Sequence, residues 1–129
     1  MAVVITKSPA FWAPGFLIIP DDEKTLTFEF KARFKRLPAE RSRELIALIE
    51  ESRRASALGK KPPLTDKALL DEVMCDWGGF KDADGAPVPY TPANRAQAVE
   101  DWFGLEAAFT RAFIEAAWPE QRRKEAEKN

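Results

Sequence analysis

Between Thr25 and Arg36, apolar and polar residues alternate without a break. Leu26, Phe28, Phe30, Ala32 and Phe34 interleave with Thr25, Thr27, Glu29, Lys31, Arg33 and Lys35. A period of two puts the first set on one face of a strand and the second in water, whereas a helix would scatter the phenylalanines. The segment reads as a half-buried strand of an antiparallel sheet with one solvated face. At Leu37-Pro38 the period changes. Proline suits a first helical turn, and Ala39 to about Arg54 is rich in helix formers, with Leu45, Leu48 and Ile49 as an apolar stripe and Ile46 beside it. Gly59 and Pro62-Pro63 end that helix. Thr65 as N-cap and Asp66 open the next, whose buried side reads as Leu69, Leu70, Val73, Met74 and Trp77, up to Gly78-Gly79.

Lys81 to Pro89 has the composition of a loop or hairpin. Thr91-Pro92 opens a further helix toward Trp102 with a break at Gly104, and a last helix runs from Leu105 to about Trp118. Residues 1–24 read as two short extended pieces separated by proline and glycine, suited to edge strands or an arm. Strands followed by helices give an α+β fold: N-terminal antiparallel strands, then about four helices. The expected organisation is an arm or edge strands over 1–24, a core domain over 25–118 and a charged tail over 119–129.

Composition narrows the chemistry. The chain has 129 residues, 45% hydrophobic and 32% charged, which suits one folded domain rather than a disordered segment. It has no histidine and a single cysteine, Cys75. Ser-His and Cys-His nucleophile pairs, Cys/His zinc sites and an internal disulfide are therefore excluded. Cys75 reads as a small hydrophobe inside the second helix. Asp82-Ala-Asp84-Gly85 resembles part of a calcium loop, but Phe80 and Thr91 stand where an EF-hand needs acidic residues. Tight-turn chemistry explains it better. Lys7 and Pro9 interrupt the first apolar run, and Pro14 and Pro20 fence Phe16–Ile19, so neither a signal peptide nor a membrane helix is expected and the cytoplasm is the implied compartment.

Charge is segregated. The stretch from Lys31 to Lys61 holds ten basic and four acidic residues; Asp66 to Glu106 holds nine acidic and three basic. A basic face over Lys31–Arg43 could contact a nucleic acid backbone, although no aromatic residue is expected among the basic residues on that face to stack a base. Opposite-signed halves also suit self-association. The last helix adds a second feature. Leu105, Phe109, Ala112, Phe113 and Ala116 share one face, while Ile114 and Trp118 lie roughly opposite. A second ridge asks for a second surface, either another element of this fold or a partner. Candidate partner-binding residues are Phe11, Trp12, Phe109, Phe113, Ile114 and Trp118. No catalytic, cofactor-binding or metal-binding residue is assigned.

Three stretches in order carry a family resemblance. The first is the basic strand running into a proline-started helix, Phe28 to Ile46. The second is Leu69 to Gly85, with Trp77 before Gly79-Phe-Lys-Asp-Ala-Asp-Gly85. The third is Pro87-Val-Pro-Tyr-Thr-Pro-Ala-Asn94, followed by an aromatic- and alanine-rich helix ending near Trp118. Across residues 26–118 the chain resembles the tail assembly chaperones of long-tailed, siphovirus-type bacteriophages and prophages. The resemblance implies a non-enzymatic protein of the host cytoplasm, absent from the mature virion. It would self-associate, bind the tape measure protein and help recruit tail tube subunits, without cofactor or membrane. A longer frameshifted product is common in that family, and the Lys128-Asn129 end is compatible with one. The alternative is a small nucleic-acid-associated phage or bacterial protein using Lys31–Arg43.

Overall fold

A computed structural model describes residues 8–119. Residues 1–7 of the expected arm and 120–129 of the expected tail lie outside the described residues. The elements are β1 (Ala10–Asp21), β2 (Lys24–Lys35), α1 (Ala39–Ala57), α2 (Asp66–Val73), β3 (Met74–Gly78), α3 (Pro92–Asp101) and α4 (Leu105–Ala117). The strands form one antiparallel sheet in the order β1-β2-β3. The fold is α+β, with α4 against β1 and β2, and α2 and α3 against α4.

Residues 8–21 depart from expectation. Ala10–Asp21 is one strand, in register with β2 from Ala10↔Lys35 to Asp21↔Lys24. Pro14, Gly15 and Pro20 do not interrupt it, for a reason of parity. The Arg36 N–H donates to the Pro9 carbonyl at 2.9 Å, continuing the same register. Odd-numbered residues of β1 therefore turn their backbone groups toward β2, and even-numbered residues turn theirs to the open edge. Pro14 and Pro20 are both even, so the donors they lack belong to no ladder bond. Side chains follow the same alternation: Ala13 and Leu17 enter the core, while Trp12, Phe16 and Ile18 stand exposed on the outer face.

Gly15 is there for clearance. A Cβ at this position would lie 2.4 Å from the Phe30 ring, which itself packs edge-on against Phe109 at 5.1 Å. Gly15→Ala should push Phe30 off that contact and cost about 1–3 kcal/mol, measurable as a lower urea midpoint. An unchanged midpoint would mean the ring has room to move.

The second correction concerns Met74, Cys75 and Trp77, which are not helical. Helix α2 starts as expected, with Thr65 Oγ1 accepting from the Ala68 N–H at 3.1 Å, but it stops at Val73. Met74–Gly78 instead pairs with Lys31–Phe34 as the third strand. Met74 and Trp77 both face the core, an odd spacing that a regular strand cannot place on one face. A bulge between Arg33 and Phe34 of the register absorbs the extra residue, so Phe34 lies opposite Met74 and Ala32 opposite Trp77. Three-residue spacing between buried positions is what made the segment look helical.

The third correction concerns α4. Phe109, Phe113 and Ile114 are buried among the chain's own side chains. Phe109 packs with Phe30, Phe80 and Trp77, and Phe113 with Phe34, Phe11 and Trp118. The ridge at Ile114 and Trp118 docks within the fold, so these phenylalanines and Ile114 are core residues, not a partner surface.

Candidate interaction surface

Much of the polar chemistry is spent on holding elements together. Arg41 of α1 forks onto Glu72 of α2 at 2.7 and 2.9 Å and also reaches Glu44 at 2.8 Å. Arg95 of α3 is buried, with one nitrogen on the Asp71 carboxylate and another donating to the Tyr90 hydroxyl at 2.9 Å. Lys67 donates to the same Asp71 at 2.8 Å. These bonds tie α1 and α3 to α2. They hold Asp71, through Lys67 and then Arg95, and Glu72, through Arg41, below the usual carboxylate range. Glu106 moves the other way, pushed up mainly by burial and next by the nearby Asp66 charge.

The signs make the two sets separable. Carboxylates with lowered folded pKa contribute stability above their unfolded pKa and lose it as pH falls through the folded value. Asp71 and Glu72 should therefore make the protein less stable below about pH 4. Ionised Glu106 opposes folding at neutral pH, and protonation relieves it. Glu106→Gln should raise the urea midpoint at neutral pH, with the gain vanishing near pH 3.5, roughly a unit below where an ordinary glutamate titrates. A lower midpoint at neutral pH would mean the Glu106 charge is supported.

The positions singled out for possible chemistry are otherwise engaged. Cys75 occupies the bulge, its thiol donating to the Arg33 carbonyl at 3.4 Å and pushed up in pKa chiefly by burial. Asp82 Oδ1 accepts from the Asp84 and Ala86 N–H groups, each at 2.9 Å, and Gly85 has φ of 82°. That is an Asx-type turn. Among the described residues no group of three or more acidic or cysteine side chains is placed to hold a metal, and no helix is long and apolar enough to cross a membrane. A groove of about 680 Å³ lies between α1, α4 and the segment before α2, where the Thr110 hydroxyl is buried without a partner.

What stands out is exposed apolar surface, in two places. The first is the far end of the hairpin, on its inward face. Ile19 and Phe28, with Leu17, Phe80, Lys81, Trp102 and Leu105, line a depression of about 180 Å³, and Leu26, opposite Ile19 in the register, stands exposed. Trp102 is half exposed and Phe103 is fully exposed. Gly104, at φ 89°, turns the chain from Phe103 into α4, its backbone close under Leu17. Acidic residues flank this patch in the chain: Asp21, Asp22 and Glu23 in the hairpin turn, Glu100 and Asp101 before Trp102.

The second place is the outer face of the sheet. Trp12 lies opposite Arg33, which lies opposite Asp76; Pro14 lies opposite Lys31. The Arg33 guanidinium sits 5.9 Å from the Trp12 ring centroid, with Nε buried and unpartnered. This corrects the reading of the basic stretch. An aromatic does stand among its basic side chains, contributed by the neighbouring strand. The stretch itself divides, because only Lys31, Arg33 and Lys35 share the outer face. Arg36 turns to the Ser8 carbonyl at 2.9 Å and the Phe11 ring, and Arg41 is bound to Glu72.

Comparison with protein-family models, curated proteins and solved structures finds no match. The surface must therefore be read from its own residues. Of the six candidate residues, Trp12 is exposed, Phe11 and Trp118 are half-buried on either side of Phe113, and Phe109, Phe113 and Ile114 are core. Trp102 and Phe103 were missed. Their signal was an aromatic pair after a helix and directly before a glycine, where a turn leaves little to bury it.

Proposed function

We propose that this protein is a non-enzymatic binding protein of phage or prophage tail morphogenesis, a tail assembly chaperone that holds the tape measure protein and helps recruit tail tube subunits. It would act in the host cytoplasm and be absent from the finished virion. The resemblance over residues 26–118 supports this reading. The observation that carries it is Phe103, fully exposed and next in the chain to Trp102, which lines an apolar depression. Exposed aromatic anchors beside a pocket are the usual centre of a protein interface. The client surface is accordingly the hairpin end with Trp102 and Phe103, not the buried face of α4. The test is co-expression with a tape measure protein and its capture. Recovery by the wild type and loss with Phe103→Asp supports the reading; equal recovery by both removes it.

One observation favours a second reading. Trp12 beside Lys31, Arg33 and Lys35 offers a stacking ring and phosphate contacts on one sheet face, the combination a single-stranded nucleic acid uses. Retention of a single-stranded oligonucleotide that weakens with salt and is lost in Trp12→Ala would support it. Failure to bind at low salt would eliminate it.

A further inference from the structure

We propose that the groove between α1 and α4 seats one basic amphipathic helix of a partner chain. The site goes beyond the client surface at the hairpin end and shares no lining residue with the depression there. Its walls are two helical rows. On α1, Ile49, Ser52, Arg53 and Ser56 recur at the three- and four-residue steps that share a helix face. On α4, Glu106, Thr110 and Ile114 do the same at four-residue steps. Helix α1 runs for 19 residues and buries only Leu45 completely, while Leu48 and Ile49 are half-buried. Its second half therefore stands beside α4 without closing on it, and Leu64 and Leu69 add apolar surface to the gap.

The walls favour a helix over an extended segment. Both are helices whose backbone groups are satisfied within them, so they offer no edge to which a strand could add. A docking helix brings its own backbone bonds and needs only side chains that match. Length agrees: Glu106 to Glu115 is about 14 Å at the helical rise, or roughly two and a half turns. The groove holds about 680 Å³. Pockets of about 300–1,000 Å³ enclose drug-sized ligands, so this one admits the apolar side chains of one helix face and not a whole helix.

Charge sets the sign of the partner. Asp66 and Glu106 both line the groove, and after burial, the larger cause, the Asp66 charge disfavours ionised Glu106. A Lys or Arg on the incoming helix relieves both carboxylates, whereas an acidic helix adds to the repulsion. The cations already present leave that need unmet. Arg95 and Lys67 partly offset the Glu106 charge, but both are bound to Asp71. Arg111 lines the groove yet holds its guanidinium 5.4 Å from the centroid of the Phe16 ring. Arg53 and Glu115 add one charge of each sign.

Two labelled synthetic peptides of about 15 residues test the site by fluorescence anisotropy against the full chain. Both carry the same leucine stripe; one has lysines and the other glutamates at the flanking positions. The wild type should bind the lysine peptide roughly tenfold more tightly than the glutamate peptide, or better. Ala107 is exposed on α4 and lines the groove, so Ala107→Trp should fill it and weaken the lysine peptide roughly tenfold with the unfolding midpoint retained. Asp66→Asn with Glu106→Gln should make the two peptides bind alike. No binding of the lysine peptide by the wild type up to about 1 mM, equal binding of both peptides, or undiminished binding by folded Ala107→Trp overturns the proposal. Phe103→Asp should bind the lysine peptide as the wild type does, even where it loses the client. Loss of the peptide in that variant would place it at the hairpin end and overturn the groove assignment.

Discussion

Phe109→Ala should lower the free energy of unfolding by about 3–5 kcal/mol. The ring has no exposed surface and lies at the meeting point of the sheet and α4, with centroids 5.1 Å from Phe30, 5.9 Å from Phe80 and 6.3 Å from Trp77. Removing it leaves a cavity among side chains that also hold one another, so collapse around the gap is limited. Trp12→Ala, a larger truncation on the outer face, should cost far less, since half of that side chain is already in water. Urea unfolding of both variants gives the comparison. A loss under about 1 kcal/mol for Phe109→Ala would return the aromatic face of α4 to the surface, and the core described above would be wrong.

Phe103→Asp should have the opposite profile. Phe103 is fully exposed, so its replacement should leave stability within about 0.5 kcal/mol. Capture of a tape measure client should fall at least tenfold, the order expected for an interface anchor worth about 2 kcal/mol. Two effects add: the ring is lost, and an anion is placed close in the chain to Glu100 and Asp101. Capture measured against unfolding midpoint distinguishes this from misfolding. A variant that unfolds early would place Phe103 in the fold, and one that captures normally would place the client elsewhere.

The two aromatic sets show how far sequence pattern reaches. Strand β2 was legible because Leu26 to Phe34 keeps one period over its length. The caps at Thr65 and Thr91 were legible because their hydroxyls do local work, accepting from Ala68 and Asn94. Strand β1 was obscured by prolines that look like breaks and in fact sit on the edge that needs no donors. Strand β3 was obscured by its bulge, which gives a strand the three-residue spacing of a helix. The surface was harder. Helical spacing marked Phe109 and Phe113 on one apolar face and Ile114 with Trp118 on a second, but whether a ridge meets the fold or a partner depends on what the rest of the chain brings to it. Trp12 joins Arg33 only through the register of two strands. Trp102 and Phe103 become a surface because Gly104 turns the chain before they can be covered.

Hydrogen exchange of the chain alone and in complex with a helical tape measure protein addresses the client surface directly. Protection should appear in the hairpin end, residues 19–28, and across the turn from Trp102 to Leu105. Absence of a complex, or protection confined to β1 and the Lys31–Lys35 face, would contradict the account.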